Sequence, residues 1–290
     1  MKRILTAISI LVVLGQTHAA ERLIVTDDQL ATFFKSTTYV VTTNDNIIFD
    51  AFLNDAVKRL WTVTPHKIVG LAEFDALRTD ESCSFLMVTK VVESKDKLKR
   101  PYLYLSLLMG SKDAESSLDL MAEVASIPLA CESVEGDIPA LMLNPMVAFV
   151  QKHAENLKDK SFKDRVVASF QQRLQAYNYN MSQLKGKIIY VCKSDVDIKV
   201  NIREMEAKYG NLFRFVEKDD IARVVSEKEA NAAVAFTVYP QGDEKGAYGY
   251  KMIMDVDGSL YYYYYESKPK NFLLQKNDFD MIINSSSSAK

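Results

Sequence analysis

The chain has 290 residues, 26% of them charged, 48% hydrophobic and only ten glycine. That is the composition of a folded chain with ample core, and it excludes the collagen-like, disordered, disulfide-scaffold and multispan membrane classes. Without the first twenty residues, 34 basic groups stand against 38 acidic ones, a net charge of −4. Such a balance is too small and too mixed to point to nucleic acid or to an anionic membrane surface.

The first twenty residues read as a signal peptide. Lys2 and Arg3 make a basic start, residues 4–15 are apolar without a charge, and Thr17 and Ala19 put small residues where a signal peptidase reads. Cleavage is expected after Ala19 or Ala20. The apolar run is shorter than the roughly 20 residues a spanning helix needs. No cysteine follows the cut for lipid attachment, so the mature chain is expected to be soluble, in the periplasm or secreted. Cys83, Cys131 and Cys192 allow at most one disulfide within a chain, and their wide spacing suits neither a metal clip nor a redox pair.

One pattern then occurs twice. Its first copy, residues 21–112, opens with a β-rich run at 38–41 and a polar loop at 42–46. A helix is expected over 47–60, with Ile48, Phe52, Ala56 and Leu60 four apart on one stripe. A strand around 61–63, a helix at 71–78 and strands at 85–92 and 102–109 follow. The second copy, residues 185–284, repeats the order: strand 187–192, polar loop 193–197, helix 198–209, strand 212–216, helix 219–228 and strand 232–239. Residues 248–256 and 260–265 close it as a hairpin around Asp257-Gly258.

Residues 113–184, between the copies, are expected to be helical. One helix is read over 114–125, a loop over 126–137, and longer helices over 138–157 and 162–184. Phe162, Val166, Phe170, Leu174, Tyr177 and Met181 form an apolar stripe on the last of these, the mark of a core-facing helix. Residues 285–290 read as a disordered tail. The expected class is therefore α/β (α+β), with two similar β-α-β-α-β-β modules carrying mixed sheets and joined by a packed helical insert. The element order resembles, at the level of fold alone, small α/β modules found in envelope proteins. No motif residue carries that comparison, and it implies no activity.

Catalytic motifs are missing from the sequence: there is no G-x-S-x-G elbow, H-E-x-x-H, Walker loop or dinucleotide fingerprint. His66 and His153 stand far apart and read as surface or interface side chains, so neither a metal site nor a cofactor is expected. Two groups of candidate binding residues remain. Asp45, Asp195 and Asp197 lie in the polar loops after the first strand of each copy, where ligands gather in open α/β sheets. Helix capping accounts for the same residues without a ligand. In the hairpin, a two-residue turn places Met254 opposite Tyr261, Met252 opposite Tyr263 and Tyr250 opposite Tyr265 on a face that should pack. The opposite face carries Lys251, Tyr262 and Tyr264 and is expected to be partly wet. Exposed tyrosines on a rigid strand suit protein or glycan contact, unless a further helix covers them.

The sequence therefore points to an exported, non-catalytic protein that binds an envelope protein or glycan through a sheet surface. A small-molecule receptor with a cleft between the halves is the alternative, and an exported hydrolase built on acid pairs such as Asp255, Asp257 and Glu266 is the weakest reading.

Overall fold

The computed structural model describes residues 17–18, 23–93, 96–131, 140–166, 170–240, 246–267 and 272–287. Apart from Thr17–His18, the expected signal peptide lies outside them, as do residues 288–290. Two sheets share one strand order. In the first, β2 (Thr37–Thr42) is central to a parallel trio with β3 (His66–Gly70) and β4 (Cys83–Val92), and β5 (Pro101–Met109) and β6 (Glu123–Cys131) add antiparallel strands to give β3-β2-β4-β5-β6. In the second, β7 (Ile188–Cys192) pairs in parallel with β8 (Phe213–Val216) and β9 (Ala232–Val238). The antiparallel strands β10 (Tyr248–Asp255) and β11 (Leu260–Ser267) complete the order β8-β7-β9-β10-β11. Counted within each module, both orders are 2-1-3-4-5. A short β1 (Thr17–His18) also lies parallel to β4 at Val91–Val92.

Parallel neighbours need crossovers. Helices α2 (Ile47–Leu60) and α3 (Leu71–Leu77) supply them in the first module, and α7 (Ile202–Tyr209) and α8 (Lys218–Ser226) in the second. Helix α1 (Asp27–Phe33) precedes β2 behind a Thr26–Gln29 capping box. Between the modules run α4 (Leu143–Asn156), α5 (Lys160–Val166), α6 (Phe170–Gln175) and a 3₁₀ run over Ala176–Leu184. Helix α9 (Lys276–Ser287) ends the described chain.

The expected helix over 114–125 does not form. Leu118–Leu120 is a single 3₁₀ turn capped by Ser117, and Glu123–Cys131 is the fifth strand of the first sheet. The helical spacing of Leu118, Met121, Ala122 and Ala125 was fortuitous, and Pro128 hid the strand. Pro128 sits on an outer strand next to a register shift, where a missing N–H costs the ladder little. The helical insert therefore spans 140–184 of the described chain. Of its expected long helix, 162–184, residues 162–166 belong to α5, Phe170–Gln175 is α6 and Ala176–Leu184 is the 3₁₀ run, while residues 167–169 lie outside the described residues. Phe162, Leu174 and Tyr177 of its stripe are buried, whereas the side chains of Val166 and Phe170 lie outside the described residues.

Three further expectations shift. The second strand of the first module is His66–Gly70, because Trp61 ends α2 and its indole N–H donates to Thr64 Oγ1 at 2.9 Å. The buried face of α2 is Phe49, Leu53, Ala56 and Val57, which leaves Ile48 66% and Phe52 50% exposed. Residues 285–287 are helical within α9 rather than a disordered tail.

The hairpin turn differs too. Asp255 and Ser259 close a three-residue loop, with Gly258 at φ +89. A left-handed third residue creates a bulge, so Met254 pairs with Leu260 instead of Tyr261. A Cβ on Gly258 would come within 2.5 Å of the Phe149 nitrogen, so the turn rests on the backbone of α4.

Each sheet turns one face to a core that both modules share. Val40, Leu86, Leu105 and Ile127 enter it from the first sheet, Val234, Met252 and Tyr263 from the second, and Met146, Phe149 and Val150 from α4. The outer faces have cores of their own: Phe74, Phe85 and Met87 in the first module, and Phe213, Ile253 and Phe279 in the second. Polar contacts lock the shared face. Tyr250 donates its hydroxyl to Glu93 Oε1 at 2.6 Å, and the Tyr248 N–H donates to the Tyr102 hydroxyl at 2.7 Å.

His153 is not a surface side chain. It is fully enclosed among Phe149, Phe162 and Tyr177 and shares a hydrogen bond of 2.9 Å with the Tyr177 hydroxyl. Burial depresses its pKa from 6.5 to about 4. On acidification the unfolded chain takes up this proton first, so the stabilisation is complete above pH 6.5 and drains away as pH falls toward 4. Urea unfolding at pH 7 and pH 4.5 should show wild type losing about 2–3 kcal/mol more than His153→Phe. Equal losses in the two proteins would contradict this account of His153.

Candidate functional site

In a 2-1-3 parallel arrangement the crossovers leave the central strand in opposite directions, which opens a crevice at its C-terminal end. In the second module this point follows Cys192. Residues Lys193–Asp195 make a 3₁₀ turn, and Val196 forms a parallel bridge with Leu274. Leu274 donates its N–H to the Asp195 carbonyl at 2.8 Å, and the Asp197 N–H returns to the Leu274 carbonyl at 2.9 Å. The Asp195 carboxyl lies against Thr237 of β9, and burial pushes its pKa up. The Asp197 carboxylate is buried and accepts the Lys199 N–H at 2.8 Å. Both aspartates thus organise the loop and tie it to the segment leading into α9.

Beside this clamp is a groove of about 590 Å³ lined by Lys193 and residues 196–203. Three cations border it. Lys193 is bonded to Glu217 at 2.9 Å, and Lys199 and Arg203 have no ion pair among the described residues. Ile198, on the same groove, is 97% exposed. Asn201 caps α7 by accepting the Glu204 N–H.

The matching loop of the first module is occupied with capping. Asn46 accepts the Phe49 N–H at 3.0 Å, and Asp50 accepts the Asn44 N–H at 2.9 Å, with Asn44 at φ +63. Burial pushes the Asp50 carboxyl up. Asp45 is exposed and stands on its own module, apart from the Asp195–Asp197 loop.

The hairpin candidates are placed differently from expectation. Helix α9 covers the face that carries them: Tyr262 is buried completely, Lys251 is buried, and only Tyr264 keeps partial exposure. Lys251 Nζ bonds to Asp278 Oδ2 at 2.7 Å, while the Tyr262 hydroxyl donates to Asp278 Oδ1 at 3.0 Å. The Gln275 N–H donates to the same carboxylate at 2.8 Å. Most of this face is interior, and Tyr264 alone of the three candidates stays partly wet. Asp278 was missed in the sequence, although Phe279, Ile282 and Ile283 at helical spacing mark a packed helix around it.

Lys251→Met alone strands a buried carboxylate and should cost about 3–5 kcal/mol in urea unfolding. Adding Asp278→Leu removes the uncompensated charge but strands the Tyr262 hydroxyl, so the double variant should lose less than the two single effects summed. Simple addition of the two single effects would contradict the pairing.

Among the described residues, no helix is long and apolar enough to cross a membrane, and no group of three or more His, Cys, Asp or Glu side chains could hold a metal ion. No known protein family, curated protein or solved structure matches the chain.

Proposed function

We propose that the protein is an exported binding protein whose second module docks an acidic segment of a protein partner in the groove after β7. One observation carries this reading: Lys199 and Arg203 line the same groove as the almost fully exposed Ile198 at the strand end. Cations around an exposed apolar side chain complement a segment that alternates carboxylates with apolar residues. The leader-like start of the chain supports export to the periplasm or beyond. The shared core favours recognition by a surface of fixed shape, because closing one lobe on the other would tear apart contacts such as Tyr250–Glu93.

A fluorescein-labelled nonapeptide alternating Glu and Leu is the probe, with a Lys-and-Leu peptide as its control. Anisotropy at 50 mM salt should show binding of the acidic peptide only, weakening at 300 mM salt. The Lys199→Glu/Arg203→Glu variant should bind at least about tenfold more weakly, the effect of losing two charge contacts. Its fold should be retained, because Lys199 is exposed before the helix and Arg203 lies in the first turn of α7, where a carboxylate is favourable. Equal affinity for both peptides, or unchanged binding by the variant, would overturn the proposal.

A further inference from the structure

The groove after β7 has a counterpart on the same chain, at the matching point of the first module. There the start of α2 carries the opposite charge. Residues 43–57 hold three carboxylates, Asp45, Asp50 and Asp55, and no Lys, Arg or His. Asp55 is paired with Arg59 at 2.7 Å, one turn further along. Asp45 is exposed, and neither it nor Asp50 has an ion pair among the described residues.

Set among these acids are Ile47, Ile48 and Phe52, each at least half exposed. Ile48 and Phe52 are one turn apart on one face of the helix, and Ile47 opens the helix beside them. The core needs none of the three, because α2 packs through Phe49, Leu53, Ala56 and Val57. Singly exposed apolar residues are ordinary on any surface, but neighbouring ones on one helix face mark a site of contact.

The groove complements this face in both respects. Its apolar lining is Ile198, Val200 and Ile202, and Lys199 and Arg203 have no ion pair among the described residues. The aspartates of its loop do not offset them: the Asp195 carboxyl lies against Thr237, and Asp197 is buried and accepts the Lys199 N–H.

We infer that the groove takes a second copy of this chain, docking the start of that copy's α2. Ile48 and Phe52 lie on Ile198, Val200 and Ile202, and Asp45 and Asp50 face Lys199 and Arg203. This rests on the groove reading proposed above and gives it a partner. The two surfaces belong to different modules, so every copy carries both. A pair closing about a twofold axis makes the contact twice, and a row of copies makes it head to tail. One helix face in one groove is a small interface, so the association is expected to be weak and sensitive to salt.

Sedimentation velocity of the chain provides the test. In 50 mM salt the weight-average mass should rise by about half or more between about 10 and 200 µM, and fall back toward the monomer at 300 mM salt. Ile48→Gln/Phe52→Gln alters only exposed positions and keeps good helix formers, so its fold should persist. It should stay monomeric and still bind the labelled Glu-and-Leu peptide as wild type does. Lys199→Glu/Arg203→Glu should stay monomeric and lose the peptide. An equimolar mixture of the two variants should regain association, because one keeps the groove and the other keeps the α2 face. A wild type that stays monomeric while binding the peptide overturns this inference and leaves the groove reading standing. Association equal to wild type in either variant alone, or a mixture that stays monomeric, overturns it as well. Failure of the groove reading is seen separately, as a peptide that the wild type does not bind.

Discussion

Polar groups buried between two apolar sheet faces must find each other, and here they do so across the module boundary. Glu93 at the end of β4 is 2% exposed and accepts the hydroxyl of the fully buried Tyr250 on β10. Tyr102 receives the Tyr248 N–H and packs its ring edge-on against Tyr250, with centroids 5.5 Å apart. Burial pushes the Tyr250 hydroxyl far up its titration range, so it stays a neutral donor. Any slip of one sheet over the other would leave a carboxylate and two hydroxyls in a dry core, at a cost of about 1–3 kcal/mol for each neutral group and more for the charge. The relative placement of the modules is thereby fixed by chemistry as well as by apolar area.

That constraint organises the remainder of the molecule. With the junction filled, the groove after β7 lies at a strand end rather than between the modules. Helix α4 serves both sheets: Phe149 and Val150 enter the shared core, while its backbone supports the turn at Gly258. The two modules share one strand order, and they differ where they are exposed. Helix α2 buries four side chains, whereas α7 buries none and is held through partly covered Ile202, Met205 and Tyr209. Divergence at the loops after β2 and β7 is of the same kind. The first loop spends its polar atoms on capping, and the second spends its aspartates on clamping the approach to α9, leaving its cations outward.

Much of this architecture was legible in the amino-acid order. The extents of α2, β5 and β9 and the register from Tyr250–Tyr265 to Ile253–Tyr262 follow from local periodicity and turn chemistry. Elements whose signal is tertiary were not legible. β6 contains Ala, Ser and Pro and becomes a strand because β5 offers it an edge, with Glu123 accepting the Ser126 hydroxyl and ion-paired to Arg173, fifty residues later. The face of Lys251 and Tyr262 looked wet because its counter-charge, Asp278, lies in a helix after the hairpin that the sequence reading assigned to no element. His153 looked like a surface residue because the aromatic cage around it is assembled from α4, α5 and the 3₁₀ run. The candidate aspartates were located correctly on their loops, but their roles depend on Leu274 and Thr237, which no spacing rule connects to them.

The central claim is that two copies of one sheet plan form a single folding body through the Glu93–Tyr250 and Tyr102–Tyr248 contacts. Differential scanning calorimetry measures this most directly. One transition, with a calorimetric enthalpy within about 10% of the van't Hoff enthalpy, is the expected result for a body that melts as a unit. Two resolved transitions, or a calorimetric enthalpy near twice the van't Hoff value, would mean that the modules melt independently and would contradict the account.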